Sequence, residues 1–474
     1  MISRRDFLGG VATFAAAGGL QSRPAAAGDP FVVLTARPGE APLAEGLQGA
    51  GKTRIWGYNG SVPGPILRYR RGDRVRVRLK NELPQPTSIH WHGIRVVNAM
   101  DGVPGLTQPA VLPGESFDYD FVVPDAGTFW YHTHARTWEQ LARGLYGLLI
   151  VDEDEPPVFD RDIALALDDW RLTEDGQIEE ESLGSVHDRA HLGRLGNWLT
   201  VNGRSRPEIT VARGERIRLR LANTANARIL ELAFPDHSPM LAALDGSPVP
   251  LQPLNGSPLI LAPGQRADLV FHLKGQAGAR YPLHEVSQEQ PLEFAYFAYA
   301  EEEMRDLGSL APIASFPPAK HPPLDLSSAV TADLVMTGGA MGRLDGAMHG
   351  GVMRSMKELA AKGIVWAMNG VAADPDHSND PPLVEVARDT TVIIDMVNDT
   401  RWPHAMHLHG HHFRVIRRDG RAIDSAPWRD TELVAPDERV AIAFVADNPG
   451  KWLFHCHMVE HHAAGMATWI NVTA

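Results

Sequence analysis

Three stretches of this chain follow one pattern: an Asn-Gly turn, a short run, then an alternating strand that closes on asparagine. They read "NGSVPGPILRYRRGDRVRVRLKN" from Asn59 to Asn81, "NGRSRPEITVARGERIRLRLAN" from Asn202 to Asn223, and "NGVAADP" to "VEVARDTTVIIDMVN" from Asn369 to Asn398. A second element follows each copy: "LPGESFDYDFVV" from Leu112, "APGQRADLVFHL" from Ala262 and "APDERVAIAFVA" from Ala435. A single large fold does not repeat two elements in order, whereas a chain of related modules does. Period-two alternation suits sandwiches with one wet face, and 44 Gly with 36 Pro supply the turns. The expected fold is therefore all-β, three related Greek-key β-sandwiches. Proline-bearing joints at "DEDEPPVFD" and "LAPIASFPPAKHPPLDL" place them at residues 28–155, 156–310 and 311–474.

The histidines fall in register with this repeat. Nine residues after Asn81 comes His90, in "HWHG"; nine after Asn398 comes His407, in "HLHG". Five after Gly127 lies His132, and five after Gly450 lies His455. The matching position nine after Asn223 is Leu232. Ligand-like residues thus mark the first and third modules and skip the second, which predicts a site shared by the outer two.

A formal charge of −13 argues against a phosphate-binding face, so nucleic acid is not an expected partner. The start, "MISRRDFLGGVATFAAAGGL", places Arg4-Arg5 before a weakly apolar run and a small-residue "PAAAGD". This resembles a twin-arginine export signal, residues 1–27, too short and too weakly apolar to span a membrane comfortably. A soluble periplasmic or secreted mature protein with no membrane anchor is expected, with the twin-arginine machinery as an export partner. The chain has a single cysteine, Cys456, so an intramolecular disulfide is impossible. A lone exported thiol is buried, reactive or bound.

Its neighbours decide between these. Four His-x-His pairs occur, His90/His92, His132/His134, His407/His409 and His455/His457, and residues two apart on a strand share a face. Thirteen of the 21 histidines lie in four short segments, unlike solvated or core histidines, which scatter. Eight imidazoles with few nearby carboxylates suit copper or zinc over calcium or magnesium. The thiolate selects copper: Cys456 with His461 and Met466, at offsets of five and ten, supplies three parts of a blue-copper site. His404 is the fourth candidate. Met466 alone would read as packing.

The segments "HWHG", "HTH", "HAMHLHGH" and "HCHMVEHHAAGM" resemble, in order, the four copper motifs of the multicopper oxidases, the laccase-like group. The likeness covers nearly all of the mature chain and implies three cupredoxin-type domains and four copper ions. It implies a type 1 copper on His404, Cys456 and His461, with Met466 axial. A type 2 copper would take His90 and His407. The type 3 pair would take His92, His132, His134, His409, His455 and His457. Electrons from a donor would enter at Cys456 and pass through its sequence neighbours to a cluster reducing O₂ to water. Asp101, in "NAMDGVPG", resembles the acidic residue these enzymes place near the type 2 copper; a turn aspartate before glycine is the plainer reading. His462 departs from an acidic residue common in relatives. His411 and His412 read as structural or supporting residues.

The donor is open. A phenol or aromatic amine is the favoured substrate class, and oxidation of Cu(I), Mn(II) or Fe(II) is the alternative. A non-catalytic scaffold or copper carrier is disfavoured by the complete ligand set. "MTGGAMGRLDGAMHGGVMRSM", with Met336, Met341, Met348, Met353 and Met356, offers soft thioethers in Gly-rich surroundings that suggest a flexible loop. A monomer is expected, since both metal-bearing modules lie on one chain.

Overall fold

Each repeated strand becomes the centre of a sheet. Arg74–Asn81, Arg216–Asn223 and Thr390–Asp399 each have a parallel neighbour, respectively Val32–Ala41, Arg161–Trp170 and Val330–Gly338. On the other side each pairs antiparallel with the strand of the second repeated element, Ser116–Val122, Arg266–His272 or Arg439–Ala446. This computed structural model describes residues 31–307, 312–374, 377 and 380–474, so the expected signal segment lies outside the described residues. The three central sheets have four, six and seven strands, and companion sheets of four, five and five strands, with one two-stranded hairpin, make up the rest of an all-β molecule.

The recurring asparagines have a physical reason. At the strand ends, Asn81, Asn223 and Asn398 are buried, and each side-chain amide donates to at least two separate backbone carbonyls. The Oδ1 of each accepts the backbone N–H two residues on. One side chain thus satisfies groups that the departing chain would strand in the interior. At the turns, Asn59, Asn202 and Asn369 adopt φ of 58°, 51° and 50°. Each pins its turn to the first strand of its module, accepting from the N–H of Thr35, Ala166 or Val335. Asparagine tolerates this left-handed geometry, and the following Gly continues it.

Alternation sorts the strands as expected. Val75, Val77 and Leu79 are buried, while Arg74 and Arg78 point outward to Asp120 and Asp118 across the sheet. The apolar residues of the first and third modules, among them Trp91, Tyr131, Phe454 and Trp452, merge into one continuous core. The middle module keeps a separate core around Leu219, Leu269 and Phe297. The outer modules are therefore fused through packing, and a site between them is dry.

The methionine-bearing segment corrects the expectation of a flexible loop. Met336 is a fully buried residue of the Val330–Gly338 strand. Gly346–His349 and Val352–Ser355 form a hairpin that sets Met348 opposite Met353, and a capping box at Ser355 starts the Met356–Ala360 helix. The glycines serve tight turns here, with φ of 63° and 70° at Gly350 and Gly351.

Candidate metal centre

Two pairs of antiparallel strands carry the ligand-like residues, and they match. In the first module His90–His92 pairs with Gly127–His132, setting His90 opposite His132. In the third, His404–Leu408 pairs with Gly450–Cys456, setting His407 opposite His455 and Met406 opposite Cys456. Only His90/His92 lies wholly on a strand. The other three pairs straddle strand ends at His132, Leu408 and Cys456. The rings of each pair still stay 4.9–6.0 Å apart, centroid to centroid.

All eight imidazoles converge between the outer modules. Rings cross the module boundary at 3.8 Å for His90 with His409 and 3.7 Å for His92 with His407. His134 and His455 are 5.2 Å apart, and His132 and His457 are 5.3 Å apart. Ligand atoms close enough to share a metal ion, ring nitrogens and one carboxylate, occur in the sets His90–His92–His132, His90–His407–His409, His134–His409–His455 and His92–His407–Asp430. Every one of these side chains is buried.

Four of the rings are turned by a backbone carbonyl at the far edge. The Nδ1 of His90 faces Asp101 O at 2.9 Å, that of His132 Thr133 O at 2.8 Å, that of His407 Asp430 O at 2.9 Å, and that of His455 Cys456 O at 2.9 Å. A carbonyl only accepts, so Nδ1 carries the proton and Nε2 keeps its lone pair. The Nε2 atoms of His90, His132, His134 and His407, and both nitrogens of His457, are buried without a hydrogen-bond partner. Orphaned buried acceptors of this number are costly in a dry core unless something binds them. Asp101 is fully buried and bridges the modules, with Oδ1 3.2 Å from His90 Nδ1 and Oδ2 3.0 Å from His409 Nδ1.

The second cluster is smaller. Cys456 Sγ lies 3.7 Å from His404 Nδ1 and 3.6 Å from His461 Nδ1, and those two nitrogens are 3.1 Å apart. Thr400 Oγ1 sits 2.9 Å from His404 Nε2, and His461 Nε2–H donates to His191 O at 2.5 Å. Both rings thereby turn Nδ1 toward the sulfur. Met466 is fully buried, and its carbonyl accepts the Cys456 N–H at 3.1 Å. Trp366 lies against both histidine rings, at 5.0 and 4.6 Å.

Burial sets the protonation states. It pushes the Cys456 thiol up to about 12 and lowers His461 to about 4. His92, His132, His134, His404, His409, His455 and His457 are pushed well below the ordinary imidazole value, first by burial and then by other groups, mostly neighbouring rings. Neutral imidazoles at neutral pH are the metal-binding form. A soft sulfur with two nitrogens, beside a cage of eight nitrogens, fits copper.

The eight paired histidines and Asp101 come together in one cluster and His404, Cys456 and His461 in the other, and Met466 meets Cys456 through its backbone carbonyl. His411 and His412 stay outside both: His411 packs against Phe444 and Trp452, and His412 Nε2 donates to Gly93 O at 2.7 Å. His462 lies between the clusters and a cavity of about 480 Å³, its ring 4.5 Å from His455 and 5.3 Å from His134. Asp430 was not legible as a site residue, because a lone carboxylate in "PWRDTE" has no ligand spacing. Nor was His191, whose part is played by its backbone.

Comparison with known proteins agrees with this geometry. Three multicopper oxidase family models match residues 45–156, 161–302 and 353–474. The chain is 30% identical to multicopper oxidase MmcO of Mycobacterium tuberculosis, over 99% of this chain and 96% of that one. It superposes on a multi-copper oxidase from Pseudomonas thermotolerans with a TM-score of 0.81 and 34% identity, covering 94% and 99% of the two chains. For Lac15 from a marine microbial metagenome the TM-score is 0.73 and the identity 36%, covering 94% and 100%. The chain belongs to the multicopper oxidases, copper-dependent oxidoreductases built on cupredoxin-like domains that use O₂ as the electron acceptor.

Proposed function

We propose that the chain is a laccase-like oxidase taking electrons one at a time from a phenol or aromatic amine and reducing O₂ to water. Residues 28–155, 156–310 and 311–474 are read as its three modules, in a monomer exported to the periplasm through the twin-arginine route. His404, Cys456 and His461, with Met466, would hold a type 1 copper. His90 and His407 would hold a type 2 copper, and His92, His132, His134, His409, His455 and His457 a type 3 pair. When bound, these coppers supply one-electron transfer at the thiolate and four-electron reduction of O₂ at the cluster.

The observation that carries the reading is the sequence His455-Cys456-His457, which places one residue in the sulfur cluster and both neighbours in the imidazole cluster. Two centres are thereby joined through the backbone of adjacent residues. The protein's own work is to keep both dry and to fix each ring's free nitrogen. Asp101, which lies between His90 and His409, would take part in delivering the protons that the reduction of O₂ consumes. Four donor electrons and four protons are needed for each O₂ converted to two waters.

Oxidation of Cu(I) is a second reading, favoured by Met341 and Met353, whose side chains are 75% and 69% exposed. Thioethers left in solvent are soft ligands without a packing role. Oxygen consumption by the copper-loaded protein, compared across a methoxyphenol, Cu(I), Mn(II) and Fe(II), tests both. The phenol is expected to be the fastest donor. Loss of Cu(I) turnover alone in Met341→Leu/Met353→Leu would favour the second reading, and no oxygen uptake with any donor would defeat both.

A further inference from the structure

His92 breaks the pattern of its neighbours. In His90, His132, His407 and His455 the anchored nitrogen is Nδ1, held at a backbone carbonyl. In His92 the anchored nitrogen is Nε2, 3.2 Å from Asp430 Oδ1, and Nδ1 is the buried atom without a partner. The two nitrogens occupy different edges of the ring, so the choice decides where a metal on that ring must lie.

Asp430 is itself held from outside the ligand-bearing modules. Arg266, in the "APGQRADLVFHL" element of the middle module, forms a two-pronged contact with it, Nη1 to Oδ1 at 2.8 Å and Nη2 to Oδ2 at 2.6 Å. Both side chains are fully buried. The Nε–H of Arg266 donates to Thr128 O of the first module at 3.1 Å, which fixes the plane of the guanidinium. Thr431 Oγ1–H donates to Asp430 Oδ1 at 2.8 Å, and Gln265 Nε2–H donates to Thr431 O at 3.0 Å. At Gly264, with φ of +85°, a Cβ would lie 3.0 Å from ring carbons of both His457 and His92. The middle module thus sets its backbone against the imidazole cage and one cation against the carboxylate behind it.

We propose that Arg266 is a positioning residue of the metal cluster: acting through Asp430, it turns His92 so that Nδ1 rather than Nε2 faces the metal. A planar fork is needed for this, because only two parallel N–H bonds fix both carboxylate oxygens at once. The middle module, which carries none of the proposed copper ligands, thereby completes the site. The inference rests on reading the eight imidazoles as a copper cluster.

The test compares the copper-loaded full chain with Arg266→Met/Asp430→Asn, which removes both charges together and strands neither. The blue absorption of the thiolate site serves as the internal control for fold. Expected is a retained blue band, a weakened near-ultraviolet absorption of the coupled copper pair, and copper affinity at the cluster lower by about 10–100-fold. Unchanged copper content and an unchanged near-ultraviolet band would overturn the inference. Should the double variant fail to fold, Arg266→Lys keeps the charge without the fork. A smaller loss of the same band supports the proposal, and an unaltered spectrum overturns it. An unsubstituted protein with neither blue colour nor cluster copper would overturn the copper reading and this inference with it, whereas an unaltered variant overturns the inference alone.

Discussion

Cys456 is held as a neutral thiol when metal is absent, because burial pushes it up to about 12. Binding a metal as thiolate must therefore expel a proton at any physiological pH. The expected outcome is that copper affinity at this site weakens about tenfold for each unit fall in pH. Titration of the copper-free chain against a competing chelator at two pH values reads this, and a pH-independent affinity would mean that the sulfur is not a ligand. The identity of this residue was legible from sequence, since a single thiol framed by imidazoles five and ten residues from His461 and Met466 has few other uses. The far-edge partners of the rings were not. Thr400, the His191 carbonyl and Asp430 choose which nitrogen each imidazole offers, yet none carries a recognisable spacing, because each acts through a contact made only on folding.

Among elements, the strand-closing asparagines do the same work three times. Each fills a place where a chain leaves the sheet and would bury unpaired carbonyls. Asn223→Ala removes two donated bonds, to the Arg228 and Leu261 carbonyls, and the bond accepted from the Ala225 N–H. A loss of about 2–3 kcal/mol in unfolding free energy is expected from denaturant titration, since a buried group left unpaired costs about 1–3 kcal/mol. A change under about 0.5 kcal/mol, the size of an ordinary surface effect, would show that the repeat has another cause. Sequence reveals the repetition, and only the carbonyl partners explain it. The methionine-bearing segment shows the opposite failure. Its glycines suggested a loop, but Met336 faces a core and Met348 pairs with Met353, because tertiary neighbours outweigh local composition.

At the scale of the molecule, buried ions tie the middle module to the first. Arg218 spans Glu153 and Asp268 with bonds of 2.6–3.0 Å, and all three are buried. Arg218→Met takes from the buried Glu153 carboxylate both of its charge-assisted bonds, while Asp268 keeps Thr128 and Arg220, so a loss of about 3–5 kcal/mol is expected in thermal or denaturant unfolding. Wild-type stability in that variant would mean that water reaches the pair. Acid sensitivity of the copper-free chain follows from its buried imidazoles. Burial lowers His461 to about 4 and His411 to about 3, against about 6.5 in an unfolded chain. Below about pH 6.5 the unfolded state takes up more protons, so stability present above that value is lost as pH falls toward 4 and then 3. Each such histidine removes up to about 1.4 kcal/mol per pH unit in that window. The unfolding midpoint of copper-free protein should be lower at about pH 5.5 than at about pH 7, and equal midpoints would contradict the burial.

From the order of residues alone followed the all-β modules, the second copy without histidine at Leu232 and the candidate histidine–cysteine ligands. These are consequences of periodicity and spacing, which act between neighbours along the chain. Folding alone decided which nitrogen the anchored rings present and that the middle module reaches Asp430, beside the cage, through Arg266. It also set His461 under the His191 carbonyl. Those outcomes depend on groups up to 338 residues apart meeting in a dry interface, as His92 and Asp430 do. Local sequence has no term for such a meeting, because its energy exists only once water has been excluded.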